Sequence, residues 1–222
     1  HDTVFVSDEK LNLLHVIDGA TGEDKGTIRT GARPRGMVVS PDGKSLYVAA
    51  GNANRIDVID LATRKVTRSL DSGTDPERFA VSPDGRRLFV ANEDHATASI
   101  IDIAANKAVC EVPVGAEPEG VGISPDGRTL IVTSETASTA HFIDPATCRL
   151  LDSVMVGNRP RAVLFLKGGR EAWVSSEQRG TISIFDPSTR RIVATIDLVA
   201  ALPQIDPVQA VEMVATRGER RG

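Results

Sequence analysis

The chain of 222 residues contains no apolar run long enough to cross a bilayer, since a spanning helix needs roughly 18 or more such residues in succession. Basic residues are not in excess either: 26 Lys and Arg stand against 30 Asp and Glu. The clustered cationic footprint that displaces counterions from a nucleic acid is therefore missing, which excludes that class of partner. Only two cysteines occur, Cys110 and Cys148. They are too few for a disulfide scaffold, and no C-x-x-C or C-x-x-C-H spacing is present for zinc, redox or covalent haem chemistry. Catalytic signatures are absent as well, with no G-x-S-x-G elbow, no H-E-x-x-H helix and no phosphate-cradling glycine loop. The chain opens at His1 without an initiator Met or a signal-peptide pattern, as expected of a processed or trimmed chain.

What is present is a repeat. Val6, Val48, Val90, Val132 and Val174 stand 42 residues apart, each preceded by an aromatic or β-branched residue: Phe5, Tyr47, Phe89, Ile131 and Trp173. Asp18, Asp60, Asp102, Asp144 and Asp186 keep the interval, as do Gly31, Gly73, Gly115 and Gly157, then Pro34, Pro76, Pro118 and Pro160, then the turn residues Gly43, Gly85, Gly127 and Gly169. A repeat of this length divided by four turn signals predicts four short strands per unit. In the second unit these are strand A at 36–40, the Ser40-Pro41-Asp42-Gly43 turn, strand B at 45–49, strand C at 55–60 and strand D at 65–70. The Asp closing strand C is the residue type that accepts backbone N–H groups two or three positions on, so its recurrence predicts a turn former.

Strands apolar on both faces suit sheets covered on both sides, and no helical periodicity of 3.6 accompanies them. The expected fold is all-β: a β-propeller of four-stranded antiparallel blades, with five units in this chain. Residues 1–222 form a single domain on this reading. Five repeats cover 1–197, the first lacking its innermost strand; 198–209 is an irregular insertion, and 210–222 is an innermost strand. That last strand either closes a five-bladed ring by completing the first blade or begins a sixth unit of a larger ring; the stop where a further strand B is due favours a truncated chain.

The motifs Phe5-Val6-Ser7, Leu46-Tyr47-Val48-Ala49, Leu88-Phe89-Val90-Ala91-Asn92 and Ser99-Ile100-Ile101-Asp102 resemble YVTN-type β-propeller repeats. More narrowly, Val90-Ala91-Asn92-Glu93-Asp94, Ser134-Glu135-Thr136 with Ala140-His141-Phe142-Ile143-Asp144, and Trp173-Val174-Ser175-Ser176-Glu177 are similar to bacterial propeller proteins associated with pyrroloquinoline-quinone-dependent alcohol catabolism. The resemblance covers residues 1 to about 197. It implies a seven-bladed ring, a periplasmic or secreted location, and a quinoprotein dehydrogenase or cytochrome as partner. It does not imply a bound quinone here. The stretch Asp18-Gly19-Ala20-Thr21-Gly22-Glu23 resembles the middle of a quinoprotein docking motif, but the Trp of that motif does not follow it, and Trp173 is the only tryptophan. No cofactor is expected.

Function in a repeat fold is sought where equivalent positions turn polar on one end of the ring. The D-to-A and B-to-C connections share such an end. Charged residues flank the repeated prolines there: Arg33 and Arg35, Asp75 and Glu77 with Arg78, Glu117 and Glu119, Arg159 and Arg161. Glu9, Glu93, Glu135 and Glu177 follow strand B in four units, with Gly51 the exception. The candidate binding face is therefore Arg35, Glu77, Arg78, Glu119, Arg161, Glu93, Glu135 and Glu177. Two readings stay open: a charged funnel that binds a small polar ligand, cation or protein partner, or solvated loop ends that pair with their neighbours.

Histidines offer less. His15 and His141 share a strand C position in non-adjacent units, too far apart to hold one metal, and His95 reads as a surface residue. No catalytic or metal-binding residue is assigned. Cys110 in a strand D and Cys148 in the next C-to-D turn occupy different repeat positions, which argues against the Cα separation of roughly 4.4 to 6.8 Å that a disulfide needs. Three functions follow: a non-enzymatic periplasmic binding module, a propeller lactonase using channel-mouth Glu, Asp, His and Arg, as the resemblance to related rings implies, and a cell-surface adhesion propeller.

Overall fold

The computed structural model describes residues 3–201. Its first sheet has three strands, β1 (Thr3–Asp8), β2 (Leu13–Asp18) and β3 (Asp24–Arg29). Four four-stranded sheets follow. The second blade is β4 (Pro34–Val39), β5 (Ser45–Ala50), β6 (Arg55–Asp60) and β7 (Lys65–Asp71), and the third is β8 (Pro76–Val81), β9 (Arg87–Asn92), β10 (Thr97–Asp102) and β11 (Lys107–Pro113). The fourth is β12 (Pro118–Ile123), β13 (Leu130–Ser134), β14 (Thr139–Asp144) and β15 (Arg149–Met155). The fifth is β16 (Pro160–Leu166), β17 (Glu171–Ser176), β18 (Thr181–Asp186) and β19 (Arg191–Asp197), followed by one helical turn, α1 (Leu198–Ala201). Every pairing is antiparallel between consecutive strands. The innermost strands β4, β8, β12 and β16 touch in succession, as do the outer strands β3, β7, β11 and β15. Five sheets meeting edge to edge at their inner strands define a partial β-propeller.

Turn chemistry fixes each blade locally. Oδ1 of Asp18 accepts the N–H groups of Ala20 and Thr21 at 3.0 Å, and Asp60, Asp102, Asp144 and Asp186 accept the corresponding bonds from Thr63, Ala105, Ala146 and Ser188. The repeated Asp is therefore a turn former; backbone N–H bonds hold Asp18 and Asp60 below the usual carboxylate range, and the Thr147 and Ser188 hydroxyls, with backbone N–H groups, do the same for Asp144 and Asp186. Between strands A and B, the Ser40, Ser82 and Ser124 hydroxyls donate to Asp42, Asp84 and Asp126 while accepting N–H groups across the turn. Gly43, Gly85 and Gly127 supply its left-handed residue, at φ 69, 71 and 72°.

Packing between blades uses the alternation of strand B. The aromatic position faces the next blade and the following valine faces the previous one: Tyr47 packs with Leu88 and Val90, Phe89 with Leu130 and Val132, and Ile131 with Ala172 and Val174. Phe142 and Phe185 meet edge to face at 5.3 Å between ring centres across the fourth and fifth blades. Val48, Val90, Val132 and Val174 are consequently buried, whereas Val6, with no described blade before it, is 44% exposed.

The two cysteines pair, contrary to the expectation from their repeat positions. Cys110 and Cys148 form a disulfide with Cα atoms 6.4 Å apart. Their different positions are what allow it, because strand D of one blade lies against the C-to-D turn of the next. The same seam recurs with other chemistry. Arg68, one repeat before Cys110, donates to the Ile103 carbonyl at 3.1 Å, and Asp152, one repeat after, faces Arg190 at 3.5 Å. A register shift opposite strand D occurs in each blade, at His15/Ile17, Val58/Ile59, Ile100/Ile101, Phe142/Ile143 and Ile184/Phe185.

The described part of 198–209 is the single helical turn α1. The remainder of that segment, and the proposed strand within 210–222, lie outside the described residues. Among the described residues no helix is long and apolar enough to cross a membrane.

The disulfide closes a loop 38 residues apart in sequence. On the chain-entropy relation, reducing it or introducing Cys110→Ser with Cys148→Ser lowers stability by at most about 4 kcal/mol. Urea unfolding with and without reductant measures this, and equal midpoints would contradict a formed cross-link.

Candidate functional site

The connections entering strand A and leaving strand B are tied together in four blades. The N–H groups of Gly51, Glu93, Glu135 and Glu177 donate to the carbonyls of Arg33, Asp75, Glu117 and Arg159 at 3.0, 3.2, 2.8 and 2.9 Å. Those four carbonyl-bearing residues all adopt left-handed backbone, at φ 58, 50, 53 and 54°. Non-glycine residues take that conformation only when their surroundings impose it. Here a side chain from the preceding blade helps: Oδ1 of Asn12 accepts the Arg33 N–H at 2.9 Å, and Oδ1 of Asn54 accepts that of Asp75 at 3.0 Å.

This backbone brings the charged side chains into contact across blade borders. Nη1 of Arg33 donates to both carboxylate oxygens of Asp75, at 2.8 and 2.7 Å, and its Nη2 reaches Glu77 at 2.8 Å. Arg35 also pairs with Glu77 and reaches Glu9 at 3.5 Å. Three blades on, Arg161 pairs with Glu119, with Glu135 at 3.1 Å and with Glu177 at 2.8 Å, while Arg159 holds Glu135 at 2.5 Å. The partners lie one repeat apart in Arg33–Asp75, Arg35–Glu77 and Glu119–Arg161, so the ion pairs bridge adjacent inner strands.

Burial separates this network from solvated loop ends. Glu77 is 1% exposed and Glu119 4%. Removal from water disfavours the charged form and pushes the Glu77 carboxyl up to about 7; the neighbouring Glu93 carboxyl pushes the same way, while Arg35 and Arg33 pull it down. Burial likewise raises Glu119 against the pull of Arg161, Arg78 and Arg35. Asp75, Glu77 and Glu93 bring carboxylate oxygens within 4.8 Å of one another, with Arg33 supplying the counter-charge to the first two.

Five of the eight residues singled out from the sequence line one cavity of about 560 Å³ along the innermost strands: Arg35, Glu77, Arg78, Glu119 and Arg161. Glu135 and Glu177 touch it through Arg161, and Glu93 sits behind Glu77 beside Asp75. Glu9, from the first blade, also lines the cavity. Arg33 is the bridging residue that the sequence did not single out as a site member, although the opposite charge one repeat later at Asp75 was a readable signal. The exception at Gly51 also has a cause. A Cβ there would stand 2.4 Å from Oδ1 of Asp75 and 3.4 Å from Nη1 of Arg33, so glycine leaves the room that this ion pair fills.

The histidines are structural or peripheral. Nε2 of His141 accepts the Gly115 N–H at 3.1 Å and contacts Ser134 Oγ at 3.1 Å, which places the ring proton on Nδ1, 2.8 Å from Ser153 Oγ. Burial lowers its pKa. Asp57, at the same repeat position, accepts the Gly31 N–H at 2.6 Å, so this site anchors the D-to-A loop in whichever chemistry each blade offers. His15 stands 3.5 Å from Asp8, and His95 contacts Thr74 at 3.2 Å.

A family model described as "Lactonase, 7-bladed beta-propeller" matches residues 7–111, slightly under half of the chain. Among solved structures, the chain is similar to hydrazine synthase of Kuenenia stuttgartiensis, with 23% identity and a TM-score of 0.74 over 83% of this chain and 60% of that one. It is also similar to a functionally unknown protein from Desulfotomaculum acetoxidans, with 17% identity and a TM-score of 0.75 over 87% of this chain and 66% of that one. The chain thus spans less than two thirds of either structure, and at these identities the likeness shows the propeller fold alone. A search of curated proteins found no match.

Two outcomes test this geometry. Gly51→Ala is expected to displace the Arg33–Asp75 pair and cost roughly 1–3 kcal/mol, as overpacking does, read from the urea midpoint. For pH, a carboxyl raised from 4.5 to about 7 on folding stabilises the fold most below pH 4.5 and loses that contribution as pH rises through 7. Glu77→Gln should therefore gain stability relative to the parent between pH 5 and 8, and parallel melting curves across that range would contradict the shift.

Proposed function

We propose that the chain forms part of an exported, seven-bladed propeller whose channel mouth binds a small polar ligand, without catalysing a reaction. The observation that carries this reading is the convergence of Arg35, Glu77, Arg78, Glu119 and Arg161, from four successive inner strands, on one cavity large enough for a metabolite-sized molecule. Buried carboxylates hold the guanidinium groups in place before any ligand arrives, which lowers the ordering cost of binding. The Cys110–Cys148 disulfide supports export, since such bonds persist in oxidising compartments such as the periplasm. A quinoprotein dehydrogenase or cytochrome as partner is supported by the repeat motifs around Glu93, Glu135 and Glu177.

The test is calorimetric titration of small hydroxylated and charged metabolites into the protein and into Arg161→Ala with Glu119→Gln. The double change removes both members of the buried pair together, so neither charge is stranded. A loss of affinity of tenfold or more supports the site; unchanged affinity for every binder refutes it.

A second reading is a lactonase. It is favoured by the family match over residues 7–111 and by a cavity carboxyl, Glu77, whose pKa of about 7 suits a general base at neutral pH. Turnover of glucono-δ-lactone by the parent, abolished in Glu77→Gln, would establish it. Lack of turnover across a panel of lactones and added divalent metals would remove it.

A further inference from the structure

One position on the inner strands breaks the rule that its equivalents obey. The residue after the first charged position of strand A is Gly36, Arg78, Gly120 and Ala162 in successive blades. Small residues there have a steric cause, because the next blade's inner strand approaches closely. A Cβ on Gly36 would lie 2.7 Å from the Glu77 carbonyl oxygen, and one on Gly120 would lie 2.7 Å from Thr133 Oγ1 and 3.0 Å from the Arg161 carbonyl oxygen. The third blade places the longest cationic side chain at this position instead.

Arg78 does not repay that departure by holding the fold together. Its one ion pair among the described residues is to Glu119 at 3.7 Å, beyond hydrogen-bond distance, and its side chain is 53% exposed. Arg33, Arg35 and Arg161, by contrast, each meet two or more carboxylates. A guanidinium carries five N–H donors in a planar fork suited to oxyanions, and those of Arg78 are left for whatever enters the cavity that it lines.

The charged groups of the wall differ in how far they are open to a guest. Arg35, Arg78 and Arg161 line the cavity together with Glu9, Glu77 and Glu119. Glu77 and Glu119 are buried and already paired with Arg35 and Arg161, and Glu9 is the exposed carboxylate, so on the third and fourth inner strands Arg78 is the charged group most open to a guest. We infer that Arg78, which lines the cavity together with Arg35 and Arg161, is the recognition residue for an oxyanion group, carboxylate or phosphate, on the small molecule bound there. This inference rests on the binding function proposed above and names the ligand's chemical class.

The experiment titrates malonate, inorganic phosphate and neutral glucose into the full chain, into Arg78→Ala and into Arg78→Lys. Alanine is what the fifth blade carries at this position, so the variant keeps a residue that the fold accepts. The expected result is that malonate or phosphate binds to the parent, that Arg78→Ala weakens it tenfold or more with the unliganded melting temperature unchanged, and that Arg78→Lys restores part of the affinity. Malonate binding alone assigns a carboxylate, and phosphate binding alone a phosphate. Binding of glucose only, sensitive to the Arg161→Ala and Glu119→Gln pair, would overturn the inference while leaving the binding site intact. Anion binding indifferent to Arg78→Ala would also overturn it, and if no probe binds, the inference falls with the proposed function.

Discussion

The close approach of the innermost strands governs the rest of this molecule. Where a methyl group on Gly36 would come within 2.7 Å of the next blade's backbone, neighbouring blades have no freedom to slide apart at their inner edges. That proximity lets side chains one repeat apart touch, and it turns a sequence interval into an ion pair. Arg33 with Asp75, Arg35 with Glu77 and Arg161 with Glu119 all follow from it. Further out, where the sheets diverge, volume is filled by Tyr47, Phe89 and Phe142 packed against aliphatic residues of the next blade. Small residues inside and large ones outside are the two halves of one radial geometry.

Electrostatics at the mouth inherits this arrangement. Carboxylates carried on strand A are enclosed by the neighbouring strands and lose water, which would be costly if they were alone. Arginines from adjacent blades supply the missing interactions, and the left-handed residues before the prolines aim them. The outcome is a cavity wall in which Glu77 and Glu119 are sequestered while Arg78 remains within reach of a guest. A polar cavity thus arises from packing rules that act on the whole repeat, with Arg78 as a departure imposed on them.

Much of this was legible in the sequence because the repeat is free of insertions. A constant interval located strands β1 to β19 to within a residue or two, and the Asp at the end of strand C announced its turn. The candidate face was legible too, since charge at the proline flanks contrasts with apolar strands. Burial of Glu77 and Glu119 was not legible: nothing local distinguishes them from the exposed glutamates after strand B, and enclosure depends on how tightly blades meet. The cysteine pair was misjudged for a related reason. Counting repeat positions compares residues within one blade's frame, whereas a seam joins strand D of one frame to a turn of the next. The complementary pair Asp152 and Arg190, displaced from the two cysteines by one full repeat, carried that information.

That outer seam has a wider consequence. A hydrogen bond from Arg68, a covalent bridge at Cys110 and an opposed charge pair at Asp152 occupy equivalent borders, and the blades around them are built alike. The rim therefore works as a set of interchangeable fasteners, each able to change in kind without disturbing the sheets it joins. Resistance to heat, salt or reductant can be tuned border by border along the circumference while the inner end, where a guest would bind, keeps its shape.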